Sequence, residues 1–238
     1  MNSMKLIFFG LILGLSFIAG AYLVSHTFLT VKAMDNVISV SGSAKQKVTA
    51  DNARWSGSFS RTVFKDQLAS GYSLMKNDEV TISNFLNDQG FAGKFEVSSV
   101  YMNEIYKNDS NAPKEYDLTQ NITVKSDDVE KLKALAKSSD KIVAKGLFFS
   151  SYPAEYYYSK LPELRISLLP DAIKDARARA EMIAQSSGRL VGDVTSVSMG
   201  VVQVMAAGAI DISDYGSYDT SGVDKEVMIT VKATFSLK

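Results

Sequence analysis

The chain has no cysteine and a single histidine among its 238 residues. Without cysteine there is no disulfide, no thiolate metal site and no thiol nucleophile. The histidine, His26, lies beside an apolar run near the N-terminus. Serine–histidine triads, histidine–zinc sites and histidine general bases therefore lack their central group in the folded domain. Net charge is also missing, since 26 basic residues balance 26 acidic ones. Nucleic-acid binders carry a basic footprint, and no basic cluster longer than DARAR (Asp175 to Arg179) occurs. No nucleic-acid partner is expected. An enzyme on this chain would have to work with carboxylates, lysine, tyrosine or a hard metal ion.

Hydrophobic residues make up 46% of the chain, enough for a real core in one large or two small domains. Lys5 is followed by 19 residues without a charge, Leu6 to Val24. As a helix rising ~1.5 Å per residue they almost span a hydrocarbon core of roughly 30 Å. Two readings compete. One is a secretory signal peptide, with Ala19 to Ala21 as an A-x-A cleavage site. The other is an uncleaved anchor, because Tyr22, Leu23 and Val24 extend the apolar run past that site. Either keeps Lys5 in the cytoplasm and exports the rest, although Lys32 close behind the run weakens the orientation signal. The expected organisation is residues 1–25 as signal anchor or signal peptide, 26–36 as linker, and 37–238 as the exported domain. Leu6 to Val24 would hold the chain in the inner membrane if uncleaved.

From Val37 the patterning is α+β. VISVSGSA (Val37 to Ala44) alternates like a half-buried strand. In Ala53 to Arg61, alternation puts Ala53, Trp55, Gly57 and Phe59 on one face. Between Val63 and Gln89 the period becomes helical, through Leu68, Tyr72, Met75, Ile82, Phe85 and Leu86, with Gly90 as C-terminal cap. Lys94 to Tyr106 and Glu115 to Lys125 read as a strand hairpin about the loop Lys107 to Pro113. Ser126 to Ser139 reads as a short helix capped by Ser126, and Gly146 to Ser159 as extended chain interrupted by Pro153. The strongest helix runs from Leu161 to Ser187 and ends at Gly188. Its stripe is Leu169, Ala172, Ile173, Ala176, Ala180, Ile183 and Ala184, whose alanines let it lie close to a sheet. Pro170 should kink it or mark a new start. Gly192 to Met205 and Lys225 to Leu237 read as strands. The expected architecture is antiparallel sheet packed against a few helices, preceded by the apolar helix.

Three stretches taken together carry a resemblance: VISVSGSAKQKVTADNARW, LPDAIKDARARAEMIAQSSGRLVGDVTSVS and ISDYGSYDTSGVDKEVMITVKATFSL. They resemble the SIMPL-domain family of bacterial envelope proteins, which includes periplasmic immunogenic and oxidative-stress defence proteins. The membrane-anchored subgroup is nearest, with its early strand ending in Trp and its DYG turn. The resemblance covers roughly Val37 to Lys238. It implies a domain in the periplasm, tethered or free, with no established enzymatic chemistry. It also implies a link to oxidative or envelope stress and a tendency to form ring-like oligomers. The family has no agreed catalytic motif, so no catalytic, cofactor-binding or metal-ligating residue is assigned.

The most site-like stretch is DISDYGSYDTSGVDKE (Asp211 to Glu226), with four aspartates and two glycines in sixteen residues. An EF-hand loop needs oxygen ligands at positions 1, 3, 5 and 12. Counting from Asp211, position 5 is Tyr215 and position 12 is Gly222. A polar connection between strands fits better, with Gly216 and Gly222 supplying positive φ and Asp or Ser closing Asx-type turns. Tyr215 and Tyr218, together with Tyr156, Tyr157 and Tyr158, are the expected assembly surface, since tyrosine suits interfaces. The tyrosine-rich segment also motivates a second reading, an exported binding module for a small molecule, lipid or glycan. Glu96, Glu104, Glu115 and Asp117 on the hairpin motivate a third, a carboxylate-dependent hydrolase, which needs two acids about 5–10 Å apart across a cleft. Of the nine methionines, Met4, Met75, Met182 and Met228 sit where membrane or core packing accounts for them. The leading expectation is a non-enzymatic envelope protein that associates with copies of itself.

Overall fold

The structure is a computed structural model describing residues 3–34, 36–108, 112–209 and 213–238. Helix α1 (Ser3–Met34) contains the apolar run, and every residue from Ile7 to Lys32 is exposed. Its span Ile7–Lys32 is long and apolar enough to cross a membrane. The stretch from His26 expected as a linker is helical up to Met34. Then follow β1 (Val37–Thr49), β2 (Asn52–Phe64), α2 (Leu68–Asp88), β3 (Phe95–Val97), β4 (Tyr101–Ile105) and β5 (Glu115–Ser126). Next are α3 (Val129–Lys137), α4 (Asp140–Val143), β6 (Phe149–Ser151), β7 (Glu155–Tyr157), α5 (Leu161–Ser167) and α6 (Leu169–Ser186). The chain ends with β8 (Val191–Ala206), β9 (Ser217–Tyr218) and β10 (Asp224–Leu237). The α+β class with antiparallel pairing is as the patterning predicts, while β8 and β9 pair in parallel.

The chain gathers into two compact units. The first holds Met1–Ala44, Ser167–Val201 and Met228–Lys238; the second holds Lys45–Ile166 and Val202–Val227. Strands β1, β8 and β10 each pass from one unit to the other, which reading along the chain does not reveal.

In the second unit, β2 is the central strand. It pairs with β5 from Ala53↔Ser126 to Phe64↔Glu115 and carries β6 and β7 on its other side. Its inward face holds Ala53, Trp55, Phe59 and Val63, all buried, as alternation predicts. Gly57 on that face makes room for the Phe149 ring, because a Cβ there would lie 2.2 Å from Cζ. The Trp55 indole donates to Ser151 Oγ at 3.0 Å. Helices α2 and α3 pack on β2 and β5 through Met75, Ile82, Phe85, Leu86, Leu132 and Leu135.

Several boundaries move, each for a local reason. Val63 and Phe64 belong to β2 because Tyr116 and Glu115 extend its ladder, so α2 starts only at Leu68. Tyr72 is exposed rather than on the buried stripe. The strand expected from Lys94 to Tyr106 is broken between β3 and β4. There the Ser98 hydroxyl accepts from Asn121 N and donates to Ser99 O, so a side chain takes over backbone pairing. The cap of α3 is Asp128, which accepts from Lys131 N at 2.9 Å; Ser126 Oγ instead accepts from Asp128 N. The helix expected from Leu161 to Ser187 is two helices parted at Leu168, and Pro170 lies in the first turn of α6, so it marks a new start.

In the first unit, α6 buries Ala172, Ala176, Ala180 and Ala184. The close approach expected of these alanines is seen at Gly42 of β1. A Cβ there would sit 2.3 Å from Ala172 O and 2.4 Å from Ala176 N. Ser43 N donates to Asp175 Oδ2 at 2.8 Å and ties the same two elements. Ile183 and Met182 are exposed, contrary to the expectation of packing, because the buried stripe narrows to alanines every fourth residue. Ile229, Val231, Ala233 and Phe235 of β10 are buried.

Candidate functional site

The second unit gathers tyrosines, two cations and two carboxylates where β7, the start of β2 and the approach to β10 meet. Thr220 O accepts from Tyr156 N at 2.8 Å, and Val223 O accepts from Ala50 N at 2.8 Å. These bonds hold the polar connection Ser213 to Val223 against the ends of β2 and β7. Ser217 and Tyr218 form the short strand β9, in parallel register with Gln203 and Val204. Two residues are too few for alternation to reveal. Gly216 has φ of 83° as the turn requires, whereas Gly222 does not adopt positive φ. At Gly222 the chain is already being fixed by the Asx turn at Asp219, which accepts from Ser221 N at 2.7 Å and Ser221 Oγ at 2.8 Å. The aspartates as turn formers are realised there. Asp211, on which the calcium reading starts, lies outside the described residues.

The five tyrosines named from the sequence separate into three environments. Tyr156 is buried in the core at 8% exposure; its partner Ala53 points inward. Tyr157, Tyr158 and Tyr218 bind one another. The Tyr157 and Tyr218 rings lie 5.9 Å apart, tilted by 35°, and Tyr218 Oη accepts from Tyr158 N at 2.8 Å. Tyr215 stands free, 95% exposed.

Charged groups flank the ring pair on both sides. Arg54 Nε donates to Glu155 Oε2 at 2.6 Å, Tyr157 Oη donates to the same oxygen at 2.9 Å, and the guanidinium lies 5.8 Å from the Tyr157 centroid. Burial raises the Glu155 carboxyl, but the Arg54 and Tyr157 hydrogen bonds and the Arg54 charge together hold it below its ordinary value. Burial and the bond to Glu155 push the Tyr157 phenol up. On the far side, Lys225 is wholly buried, with Nζ 5.7 Å from the Tyr218 centroid and donating to Asp219 O at 2.6 Å. Burial pushes its ammonium down, against the opposing charge of Asp219. Lys225 was read from the sequence only as part of a strand. In sequence it sits between Asp224 and Glu226, so nothing local marks it as buried.

Two clefts border the group. One, about 420 Å³, is lined by Arg54, Ser56, Tyr152, Glu155, Thr220 and Ser221. The other, about 330 Å³, is lined by Met205, Ser213, Ser217, Tyr218 and Asp219. Neither is lined by Tyr156, Tyr157 or Tyr158, and Arg54, the cation at the wall of the first, is already paired with Glu155. Each of the hairpin acids has a partner of its own. Glu104 pairs with Lys114 at 2.9 Å, Glu115 with Lys107 at 2.7 Å and Glu96 with Lys125 at 3.8 Å, while Asp117 accepts from Thr119. Among the described residues, no group of three or more His, Cys, Asp or Glu is placed to hold a metal ion.

The architecture is α+β, preceded by a long apolar helix, and its second unit holds the tyrosine group described above. The chain belongs to the SIMPL family, a protein of unknown function (DUF541), whose model matches residues 38–235. No curated protein matches the chain.

Proposed function

We propose that the chain is a non-enzymatic envelope protein whose SIMPL domain is held at the inner membrane by α1 and associates with other copies of itself. Its role is tolerance of oxidative or envelope stress. One observation carries the reading: α1 is exposed along the whole span Ile7–Lys32, an apolar surface that water does not tolerate and a bilayer does. The anchored form places the domain in the periplasm; cleavage after Ala21 releases it there. The exposed Tyr215, three residues before Tyr218 of the Tyr157–Tyr218 ring pair, supplies the adaptable contact of the assembly. The lysine-paired acids of the β4–β5 hairpin support leaving hydrolysis aside.

The test is fractionation of native envelopes with N-terminal sequencing, followed by light scattering of the full chain in detergent. Membrane retention with an intact N-terminus and a mass of several chains is expected. A strict monomer at high concentration removes the assembly, and a soluble cytoplasmic protein removes the whole reading. A deletion strain should lose survival under peroxide or envelope stress and regain it from the plasmid-borne gene.

A further inference from the structure

Strand β8 ends one side of its sheet, in the order β1-β10-β8-β9, and β9 meets it only at Gln203 and Val204. Among the described residues, no strand pairs with the outer edge of Val194–Val201. Every residue there is exposed, including Val194 at 48%, Val197 at 42% and Met199 at 44%. Such an edge leaves a row of backbone donors and acceptors open to another strand. Proteins usually blunt such an edge with lysine, proline or a covering element. β1, at the opposite side, shows these devices: Lys45 and Lys47 lie along it, and α6 takes up Ser43 N through Asp175. β8 has none of them, and its chain carries no charge from Val194 to Ala209.

We infer that this edge pairs antiparallel with the same edge of a second copy, about a two-fold axis at Val197. The inference rests on the self-association proposed above and names one of its contacts. The sequence is self-complementary about that residue. Val197 meets its own copy, Thr195 meets Met199, and Ser196 meets Ser198, so Thr195, Val197 and Met199 share one face while the two serines share the other with Val194. The nearest charge, Asp193, falls opposite Val201. The two Asp193 carboxylates lie eight residues apart along the pair, roughly 26 Å at ~3.3 Å per residue and well beyond a Debye length of about 8–10 Å. A charged peptide finds no counter-charge on this edge, whereas a second β8 needs none. Confinement of tethered copies to one bilayer raises their effective concentration.

The absence of native cysteine makes the test clean. In the full chain in detergent, Val197→Cys brings two sulfurs together across the axis. Directly opposed residues have Cα atoms about 4.5–5.5 Å apart, within the range a disulfide bridges. Val194→Cys places its two copies six residues apart, roughly 20 Å. Mild oxidation should convert most of Val197→Cys to a covalent pair, with at least a roughly five-fold lower yield for Val194→Cys. Val197→Lys should at least halve the assembly mass. An assembled chain whose Val197→Cys gives no more bridging than Val194→Cys overturns the edge contact and leaves self-association standing. A wild-type chain that is monomeric overturns both.

Discussion

Lys225 Nζ donates a 2.6 Å hydrogen bond to Asp219 O while the lysine is entirely excluded from solvent. Burial is the largest influence on its ammonium and lowers its pKa below the ordinary 10.5, with the Asp219 charge opposing. A depressed lysine pKa means the unfolded chain holds the proton more tightly. Stability is then fully present above 10.5 and declines as pH falls through the folded value. At neutral pH the buried charge is a cost, so Lys225→Met should stabilise the domain by about 1 kcal/mol. The advantage over wild type should shrink as the pH is raised towards 10.5. Thermal melts of both proteins between neutral and alkaline pH check this. Destabilisation by Met would mean that the bond to the Asp219 carbonyl outweighs burial.

Gly42→Ala should destabilise by about 3 kcal/mol, the upper end of ordinary overpacking. The added Cβ meets backbone atoms of α6, Ala172 O and Ala176 N, which cannot turn aside. Gly57→Ala meets only the Phe149 ring, which can swing, so about 1–2 kcal/mol is expected. Urea titrations with an unchanged slope measure both. Equal costs would show that α6 shifts as readily as a side chain.

Much of this was legible because it is periodic. Trp55 and Phe59 declare the inner face of β2 by alternation, and Ala172 to Ala184 declare a helix lying close to a sheet. Gly42, the residue that receives that helix, is far away in sequence and has no local signature. The same limit hid Lys225, whose burial comes from Asp219 and Tyr218 folding over it. The tyrosines show the limit from the other side. Composition groups Tyr156 with Tyr157 and Tyr158, but pairing of β7 with β2 turns Tyr156 into the core. β9 has two residues, too short to carry a period.

Asp78→Ala should cost about 2–3 kcal/mol. Asp78 is 8% exposed and holds Arg61 in a two-pronged pair, with Nη2 to Oδ1 at 2.8 Å and Nε to Oδ2. Removing the carboxylate strands a partly buried guanidinium, less costly than a fully buried one because some of it still reaches water. Lys76, which pairs with Glu79 nearby, leaves 68% of its side chain exposed. Lys76→Ala should change stability by less than about 0.5 kcal/mol. Denaturant midpoints of the two variants, measured side by side, should differ accordingly.

Tyr218 and Tyr215 lie three residues apart and should answer to different measurements. Tyr218→Phe keeps the ring beside Tyr157 and Lys225 but removes the acceptor of the Tyr158 N–H. Loss of that bond should cost about 1 kcal/mol in unfolding and leave the assembly mass unchanged. Tyr215→Ala removes a side chain with 95% exposure, so stability should stay within about 0.5 kcal/mol of wild type. Its effect should fall on association, lowering the mass of the full chain in detergent to that of a β8-linked pair. An unchanged mass for Tyr215→Ala would remove Tyr215 from the assembly surface. A loss of mass in Tyr218→Phe alone would move that surface to the Tyr157–Tyr218 pair.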